Sequence, residues 1–325
     1  MLWPCVLFLA GFILLIKGGD WFVDGSVGIA RRFRLPEMLI GATIVSIGTT
    51  LPEVMVSSQA ALEHNAGISY GNAIGSIICN TSLIAAVTIA VRPGPVNRKT
   101  FLLPAAFFFA AAVSYAVIAW TQGGFERWTG IAYLLLFAAY ITVSVLHMRK
   151  HPEEAQDGED GDGDEGGETK FWQEIFLLVI GAAAIAVGAR LLVNNGTLIA
   201  EALGVPDSVI GLTMVALGTS LPELITAITS LIKGHSALSL GNIIGANLFN
   251  IILVSGAAIT ISPFTVPAEK TIGGLNSGLV IDVPLMLAVM ALLCVPPLLK
   301  GKTKRWQGII LLSVYAAFTV YQFVL

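Results

Sequence analysis

Two glutamates lie at repeated positions in segments that are otherwise apolar. Glu53 ends the hexapeptide Gly-Thr-Thr-Leu-Pro-Glu, and Glu223 ends the hexapeptide Gly-Thr-Ser-Leu-Pro-Glu, 170 residues later. The same offset relates the stretch from Pro36 to Ile84 to a second copy, with about 17 of 49 residues identical. The chain is therefore an internal duplication, and the duplicated part carries the polar residues.

A carboxylate in the middle of an apolar span is costly. At the centre of a bilayer the cost is about 2.5–3.5 kcal/mol, unless the charge is paired or lines a wet cavity. No Lys or Arg lies near Glu53 or Glu223 at a matching depth. Two protonated glutamates hydrogen-bonded inside a helix bundle are one alternative. The duplication favours a bound divalent cation, which two glutamates would neutralise.

The residues around each glutamate offer further oxygen ligands. Pro52 and Pro222 lack a backbone N–H, so the carbonyls of Gly48 and Gly218 lose their helical partners and the helices are expected to break there. Oxygen ligands of this kind suit Ca²⁺ or Na⁺ and do not suit Zn²⁺ or Cu⁺. The neighbouring hydroxyl groups belong to Thr49, Thr50, Thr219 and Ser220.

A second polar pattern follows each hexapeptide and is predicted to lie on the next helix. Two glycines four residues apart allow two helices to approach closely. An asparagine near the middle of each apolar window, Asn80 or Asn250, is predicted to line the same site. The repeated residues are Gly71, Asn72, Gly75 and Asn80 in the first copy and Gly241, Asn242, Gly245 and Asn250 in the second.

The composition shows which elements must position these residues. Hydrophobic residues make up 55% of the 325 residues and charged residues 12%, whereas soluble proteins are roughly a quarter charged. Windows of about 20 apolar residues, enough to cross a bilayer, predict an all-α polytopic membrane protein with ten transmembrane helices. The windows are Leu2–Val23, Met38–Leu62, Ser69–Val91, Phe101–Trp120, Trp128–His147, Phe171–Val193, Val209–Ile232, Ser239–Ile261, Gly278–Leu299 and Trp306–Val324.

Five helices in each copy imply opposite orientations in the membrane. After an odd number of crossings the second copy enters from the other side, as in the inverted repeats of many transporters. The predicted parts are a first repeat at 1–147, a linker at 148–170 and a second repeat at 171–325. Lys and Arg concentrate in loops on one side, which places both termini outside a cell membrane and the linker in the cytoplasm. The first helix lacks a basic leading region and an obvious cleavage site, so it is expected to be retained rather than removed as a signal peptide.

The linker carries nine of the chain's 21 acidic residues, between Glu153 and Glu168, and has no large apolar residue there. Such a composition predicts disorder, with weak attraction of divalent cations as an alternative. A calcium-binding EF-hand loop beginning at Asp160 would need Gly at its sixth position and Glu at its twelfth. Glu165 and Phe171 occupy those positions, so this motif is excluded.

Two further groups of residues have simple interpretations. Cys5, Cys79 and Cys294 lie in apolar spans without paired spacing and are expected to be small buried residues. In the first helix Lys17 and Asp20 are three residues apart, which predicts a local ion pair, with a role in ion entry as the alternative.

The doubled Gly-Thr-(Thr/Ser)-Leu-Pro-Glu motif, each copy followed by Gly-Asn-x-x-Gly, resembles the paired alpha repeats of the calcium/cation antiporter superfamily. Within it the chain is similar to the sodium/calcium exchanger family of prokaryotic type, over its whole length. The resemblance implies export of one Ca²⁺ against entry of about three Na⁺ by alternating access, with the first and sixth helices sliding past the others. Ca²⁺ and Na⁺ are then cargo, and neither a cofactor nor a protein or nucleic-acid partner is expected.

The resemblance also implies roles for individual residues. The Ca²⁺ ligands would be Glu53 and Glu223 with the carbonyls of Thr49 and Thr219. Asn72 and Asn242 would line the site, and Asn80 and Asn250 would fill its middle. Besides the two glutamates, the implied Na⁺ ligands are Thr49, Thr50, Ser76 and the carbonyl of Ala216 on one side, and Thr219, Ser220 and the carbonyl of Ser46 on the other.

Two positions depart from the family pattern. Ala246 stands where a serine matching Ser76 is common, so one sodium site loses a hydroxyl unless Asn247 or a water molecule replaces it. Asn250 stands where some relatives carry Asp, which argues against potassium coupling and for a site charge of −2. Two carboxylates with Ca²⁺ then sum to zero and with three Na⁺ to +1, which predicts electrogenic transport.

Other functions remain open from the sequence. A proton/calcium antiporter of the same superfamily is the nearest alternative, although such relatives place the glutamate in a Gly-Asn-x-x-Glu context. A calcium channel is a second alternative. An enzyme is not expected, because Lys17-Gly-Gly-Asp20 lacks the Gly-x-Gly-Asp pattern of intramembrane aspartyl proteases and no His-Glu-x-x-His motif occurs.

Overall fold

The computed structural model describes residues 2–150, 171–203, 218–268 and 271–324, and helices dominate these parts. The helices of the first half are α1 (Leu2–Arg32), α2 (Glu37–Ile40), α3 (Ser46–Leu62), α4 (Ala66–Cys79), α5 (Ala86–Val91), α6 (Arg98–Gln122) and α7 (Arg127–Lys150). Those of the second half are α8 (Phe171–Ala202), α9 (Leu221–Ile232), α10 (Ser236–Phe249), α11 (Gly256–Ile261), α12 (Val283–Lys300) and α13 (Arg305–Val324).

Wider π-helical turns join several of these helices end to end. They connect α2 with α3, α4 with α5 and α10 with α11, and a fourth precedes α12. In the described residues, four short strands form two antiparallel pairs, β1 with β2 and β3 with β4. The π-helical segments are π1 (Gly41–Val45), π2 (Asn80–Ala85), π3 (Asn250–Ser255) and π4 (Gly278–Asp282), and the strands are β1 (Gly124–Phe125), β2 (Phe264–Thr265), β3 (Thr271–Ile272) and β4 (Leu275–Asn276).

Eight helical runs in the described residues are long and apolar enough to cross a membrane, so the chain is an all-helical, multi-pass membrane protein. Two further helices lie where spans were predicted: α9, which is shorter, and α13. The window Val209–Ile232 and the linker lie partly or mostly outside the described residues. The eight runs are Leu2–Arg32, Glu37–Leu62, Ala66–Val91, Arg98–Gln122, Arg127–Met148, Phe171–Ala202, Ser236–Ile261 and Gly278–Lys300.

The two prolines of the repeated hexapeptides affect their helices differently. Helix α9 begins at Leu221, next to Pro222, so a helix boundary lies at the predicted position. Helix α3 continues through Pro52, and the predicted break there is wrong. A proline removes only one helical hydrogen bond, and neighbouring helices in a membrane bundle can compensate for the freed carbonyl.

Helices α1 and α8 cross in opposite directions with their backbones in contact. A Cβ atom added to Gly11 would lie 2.8 Å from the Gly188 carbonyl oxygen, and one added to Gly188 would lie 2.8 Å from the Gly11 carbonyl oxygen. One added to Gly18 would lie 2.8 Å from the Ile185 amide nitrogen, and one added to Gly181 would lie 2.9 Å from the Gly18 carbonyl oxygen. The glycines recur every seven residues, so a small-residue seam holds the pair together.

The basic loops meet at one end of the bundle, here called the basic face and defined by Arg92, Arg98, Lys233 and the loop 300–305. The Arg98 guanidinium donates to the Leu299 carbonyl over 2.7 Å, and Arg92 donates to the Leu231 carbonyl over 3.4 Å. The β1–β2 pair lies at the opposite end of α6. The structure thus gathers loops from both halves on one face, as the distribution of Lys and Arg predicted.

Ion pairs at this end connect different helices. Arg32 makes a bidentate pair with the buried Glu174, at 2.7 and 2.9 Å, and so ties α1 to α8. Lys233 pairs with Asp24 at 2.7 Å and with Asp20 at 3.5 Å. The partner of Asp20 is therefore Lys233, and the predicted pair with Lys17 is wrong, because a side chain at the end of α9 reaches the α1 surface that spacing along α1 cannot reveal.

Candidate functional site

The site is built around two fully buried carboxylates that come from corresponding helices of the two halves. Glu53 on α3 and Glu223 on α9 are both 0% exposed. They lie close enough to repel each other electrostatically. None of their four carboxylate oxygens has a hydrogen-bond partner among the described residues. The repeat therefore brings two acidic groups together in an environment that disfavours both charges.

Hydroxyl groups of the first hexapeptide lie beside these carboxylates. The Thr49 hydroxyl donates to the Asn242 Oδ1 atom over 3.2 Å and also faces the Glu223 carboxylate. It lies 3.5 Å from the carbonyl oxygen of Ser46, one of the predicted ligands. Thr50 is fully buried, and its Oγ1 atom has no partner in the part of the chain that the structure describes. Oxygen atoms from both halves thus surround the carboxylates.

The two predicted lining asparagines, Asn72 and Asn242, are placed differently. Asn72 stays within its own half, where its Nδ2 atom donates to the Glu53 carbonyl over 3.1 Å and to the Ser57 hydroxyl over 2.8 Å. Asn242 reaches into the other half, where its Oδ1 atom accepts hydrogen bonds from Thr49 over 3.2 Å and from Ser46 over 3.3 Å. Both lie next to the site, and Asn242 connects the two halves.

Asn80 and Asn250 occupy corresponding backbone positions. Asn80 is the first residue of π2 and Asn250 is the first residue of π3. Both side chains are fully buried, and neither amide group has a hydrogen-bond partner among the described residues. Single π-helical turns inside α-helices are frequent at functional sites. The sequence predicted the two asparagines, and the altered helical geometry at both was not foreseen.

The remaining predicted ligands are Ser76, Thr219, Ser220 and the carbonyl of Ala216. Ser76 is buried, and Thr219 is half-buried just before α9. Ser220 is buried beside the thiol of Cys79, which also lies near both carboxylates, so this cysteine borders the site. Ala216 lies outside the described residues.

Asn247, the expected substitute for a hydroxyl at Ala246, is held by other contacts. Its Nδ2 atom donates to the Thr81 hydroxyl over 2.8 Å and to the Met290 sulfur atom over 3.2 Å. Its Oδ1 atom has no partner within the described ranges. The amide is thus oriented by Thr81, a residue that the sequence did not single out.

Helices α1 and α8 cover the site from one side. A small cavity of about 10 Å³ lies between Phe22 and Ile185 of these helices and Thr49, Pro52 and Pro222 of the site. A buried water molecule needs roughly this volume. Both repeated prolines therefore border the same small space beside a predicted ligand.

The donor set matches hard cations. It combines two carboxylates with hydroxyl and amide oxygens, which Ca²⁺ and Na⁺ prefer. Three more buried hydroxyls on α9 and α10 were not identified from the sequence. Two of them, Thr226 and Ser230, correspond to the apolar residues Val56 and Ala60, so a search for identity between the copies passes over them. The third, Ser239, is identical to Ser69, and this repeated serine is the signal that could have identified it.

The fold and the candidate site together define a multi-pass membrane protein with a buried cluster of carboxylate, hydroxyl and amide oxygens between duplicated helices. The family model described as "Sodium/calcium exchanger protein" matches residues 3–146 and 174–324. The chain therefore belongs to the sodium/calcium exchanger family of cation antiporters.

Individual relatives extend along almost the whole chain. The sodium/calcium exchanger MaX1 of Methanosarcina acetivorans is 31% identical over 98% of both chains. An uncharacterized membrane protein of Methanocaldococcus jannaschii is 36% identical over 95% of this chain and 94% of its own. The solved structure of the sodium-calcium exchanger NCX_Mj, soaked with Na⁺ and Sr²⁺, superposes with a TM-score of 0.79, at 33% identity over 97% of both chains.

Proposed function

We propose that the chain exchanges Na⁺ for Ca²⁺ at the site between Glu53 and Glu223. The proposal rests on the pair of buried carboxylates. Neither has a cationic partner among the described residues, and an uncompensated charge pair of this kind is strongly unfavourable in a membrane protein. A bound Ca²⁺ neutralises both charges. The named exchangers among the relatives support the assignment of the ions.

The proposed ligands are those that the resemblance to the family implies. Glu53 and Glu223 hold Ca²⁺ with the carbonyls of Thr49 and Thr219. Na⁺ uses the same carboxylates, so the two ions compete and cannot both occupy full sites. The additional Na⁺ ligands are Thr49, Thr50, Ser76, Thr219, Ser220, Asn247 and the carbonyls of Ser46 and Ala216, with Asn72, Asn80, Asn242 and Asn250 lining the site.

Charge counting gives the expected stoichiometry and electrical behaviour. The site carries −2, so Ca²⁺ brings it to zero and three Na⁺ bring it to +1. Exchange of one Ca²⁺ for three Na⁺ then moves one net positive charge in the direction of Na⁺. Because only the carboxylates carry formal charge, this count depends on Asn250 being an amide rather than an acid.

We further propose a ten-helix architecture in which the halves are inverted repeats and access alternates between the two sides. The antiparallel crossing of α1 with α8 supports the inversion, as do the π-helical turns that begin at Asn80 and Asn250. Helices α9 and α13 supply the two spans beyond the eight long apolar runs. The basic face is assigned to the cytoplasm by its Lys and Arg residues, which places both termini and the β1–β2 pair outside the cell membrane and the linker inside.

Reconstituted vesicles test the function directly. Proteoliposomes loaded with Na⁺ are diluted into Na⁺-free medium containing radioactive Ca²⁺. We expect rapid Ca²⁺ uptake that an inside-positive potential accelerates, because net positive charge leaves with Na⁺. Parallel vesicles carry an outward proton gradient without Na⁺. Uptake driven by protons and indifferent to Na⁺ contradicts the proposal and favours proton coupling, and passive flux without coupling favours a channel.

A further inference from the structure

Besides the Glu223 carboxylate oxygens and the Asn247 Oδ1 atom, four buried polar atoms on the hairpin formed by α9 and α10 have no hydrogen-bond partner among the described residues. They are Thr226 Oγ1, Ser230 Oγ, Ser239 Oγ and Asn242 Nδ2. Thr226, Ser230 and Asn242 are fully buried, and Ser239 is 2% exposed. Buried polar groups in folded proteins are nearly always hydrogen-bonded, so four exceptions in one hairpin require an explanation.

These atoms lie along a path that begins at the carboxylates. Glu223, Thr226 and Ser230 are spaced by three and four residues, so they share one face of α9 and extend over about 10 Å of helix. On α10, Ser239 and Asn242 are also three residues apart and share a face. Asn242 accepts a hydrogen bond from Thr49, so the end of this path that lies nearest the carboxylates is part of the site.

The other end of the path reaches the basic face. A cavity of about 70 Å³ lies there, lined by Leu231, Ser236 and Ser239 together with Thr88 and Arg92. Ser239 thus belongs both to the set of unpaired hydroxyls and to the cavity wall. By their spacing, the polar residues of the hairpin therefore extend from the carboxylate site toward this cavity, whose wall includes Ser239.

The first half shows that the fold does not require this arrangement. At the positions of Thr226 and Ser230 it carries the apolar residues Val56 and Ala60. The Ser69 hydroxyl donates to the Ser57 carbonyl over 3.0 Å. The Nδ2 atom of Asn72 is also satisfied, at the Ser57 hydroxyl. At the positions of these four residues, the hairpin of the first half therefore leaves no buried polar group unpaired, whereas the hairpin of the second half leaves four.

We propose, on the basis of the cation exchange proposed above, that Thr226, Ser230 and Ser239 form a transit site through which cations pass between Glu223 and the basic face. Their hydroxyl oxygens replace part of the hydration shell of Na⁺ or Ca²⁺ during passage. The Nδ2 atom of Asn242 donates to a water molecule that remains on the ion. The hydroxyls are unpaired when the path is closed, and the passing ion is their partner.

A double substitution separates transit from a structural role. Thr226→Val with Ser230→Ala removes two hydroxyls at nearly constant volume. We expect Na⁺-driven Ca²⁺ uptake to slow at least tenfold, while the melting temperature of the purified protein stays the same or rises, because unpaired polar groups are lost. A fall in both quantities, or unchanged uptake, overturns the proposal. The control is Thr142→Val with Ser313→Ala, whose exposed hydroxyls bond carbonyls of their own helices and should change neither quantity.

Chemical labelling tests the path without relying on coupled transport. Thr226→Cys and Ser239→Cys are treated with a membrane-impermeant cationic methanethiosulfonate in vesicles of either orientation, and modified peptides are identified by mass spectrometry. We expect modification from the basic face only, slowed by saturating Ca²⁺. Val56→Cys and Ala60→Cys, at the positions that correspond to Thr226 and Ser230, should resist labelling from that face.

The two measurements keep the two proposals apart. Absence of labelling at positions 226 and 239, or equal labelling of positions 56 and 60 from the basic face, contradicts the transit site even if the protein exchanges Na⁺ for Ca²⁺. Sided labelling that Ca²⁺ slows, in a protein whose Ca²⁺ uptake ignores Na⁺, supports the path and contradicts the proposed coupling ion.

Discussion

The hairpin of α3 and α4 and the hairpin of α9 and α10 come from the same duplicated sequence but treat their polar groups differently. In the first, Ser57 links Ser69 and Asn72 into a paired network. In the second, Ala227 replaces Ser57, and Asn242 turns toward Thr49 in the other half. The loss of one hydroxyl between the copies thus accompanies the change from a local network to a contact between halves. Duplication preserved the carboxylates, while divergence around them made the two sides of the site unequal.

The largest expected effect concerns the buried glutamate that each half contributes. Glu53→Gln and Glu223→Gln should each reduce Na⁺-driven Ca²⁺ uptake by at least about 100-fold, because a site with one negative charge no longer balances Ca²⁺. The measurement is uptake into proteoliposomes at equal protein density. Glu63→Gln, at an exposed carboxylate that accepts a hydrogen bond from Gln59, is the matched control and should transport normally. Robust transport by either site variant contradicts a shared site.

The next effect tests how firmly α10 is held against the first half. A Cβ atom at Gly241 would collide with the Met38 carbonyl, and one at Gly245 would collide with the Ser46 hydroxyl and the Ala42 backbone. Gly241→Ala and Gly245→Ala should each lower the free energy of unfolding by about 1–3 kcal/mol or more, because backbone atoms cannot yield easily. Thermal unfolding in detergent measures the loss.

The control for this test is Gly94→Ala in a loop, where an added Cβ atom meets no described atom within 4 Å. Its melting temperature should remain close to that of the unmodified chain. If Gly245→Ala proves equally harmless, the close packing that fixes Asn242 against Ser46 and Thr49 is not present in the membrane protein.

Reciprocal substitutions address the difference between the hairpins itself. Ser57→Ala should cost about 1–2 kcal/mol of stability, because the half-buried Asn72 side chain loses one of its two acceptors. Ala227→Ser offers Asn242 the equivalent partner and should cost less, or stabilise the protein. Melting temperatures of the two variants decide the matter. An equal loss of stability in both variants shows that the paired network of the first half contributes no extra stability.

The smallest effect is expected for the acidic linker. Deletion of residues 153–168 should leave the uptake rate within about twofold, which corresponds to less than 0.5 kcal/mol in the activation barrier. Such a small effect means that the two halves are made unequal by differences between their helices, and not by the linker. A much larger change in rate, with the protein still folded, assigns the linker a role in transport.

The sequence alone was sufficient for the features that duplication repeats. The pairing of Glu53 with Glu223 and the placement of Asn80 and Asn250 followed from identity between copies, and the membrane spans followed from apolar length. The partner of Asp20 and the orientation of Asn242 could not be predicted, because both depend on helices that meet only in the folded bundle. Thr226 and Ser230 escaped because a search for identity ignores the positions where the copies differ.

The glycine seam between α1 and α8 has a consequence for the origin of the chain. Gly11 meets Gly188, and Gly18 meets Gly181, and the offset of 170 converts each pair into the other. The contact is therefore isologous, like the interface of a two-fold symmetric homodimer. A single half already carries both surfaces of this contact. An ancestral protein of half the length could have assembled as an antiparallel dimer before gene fusion joined its two copies.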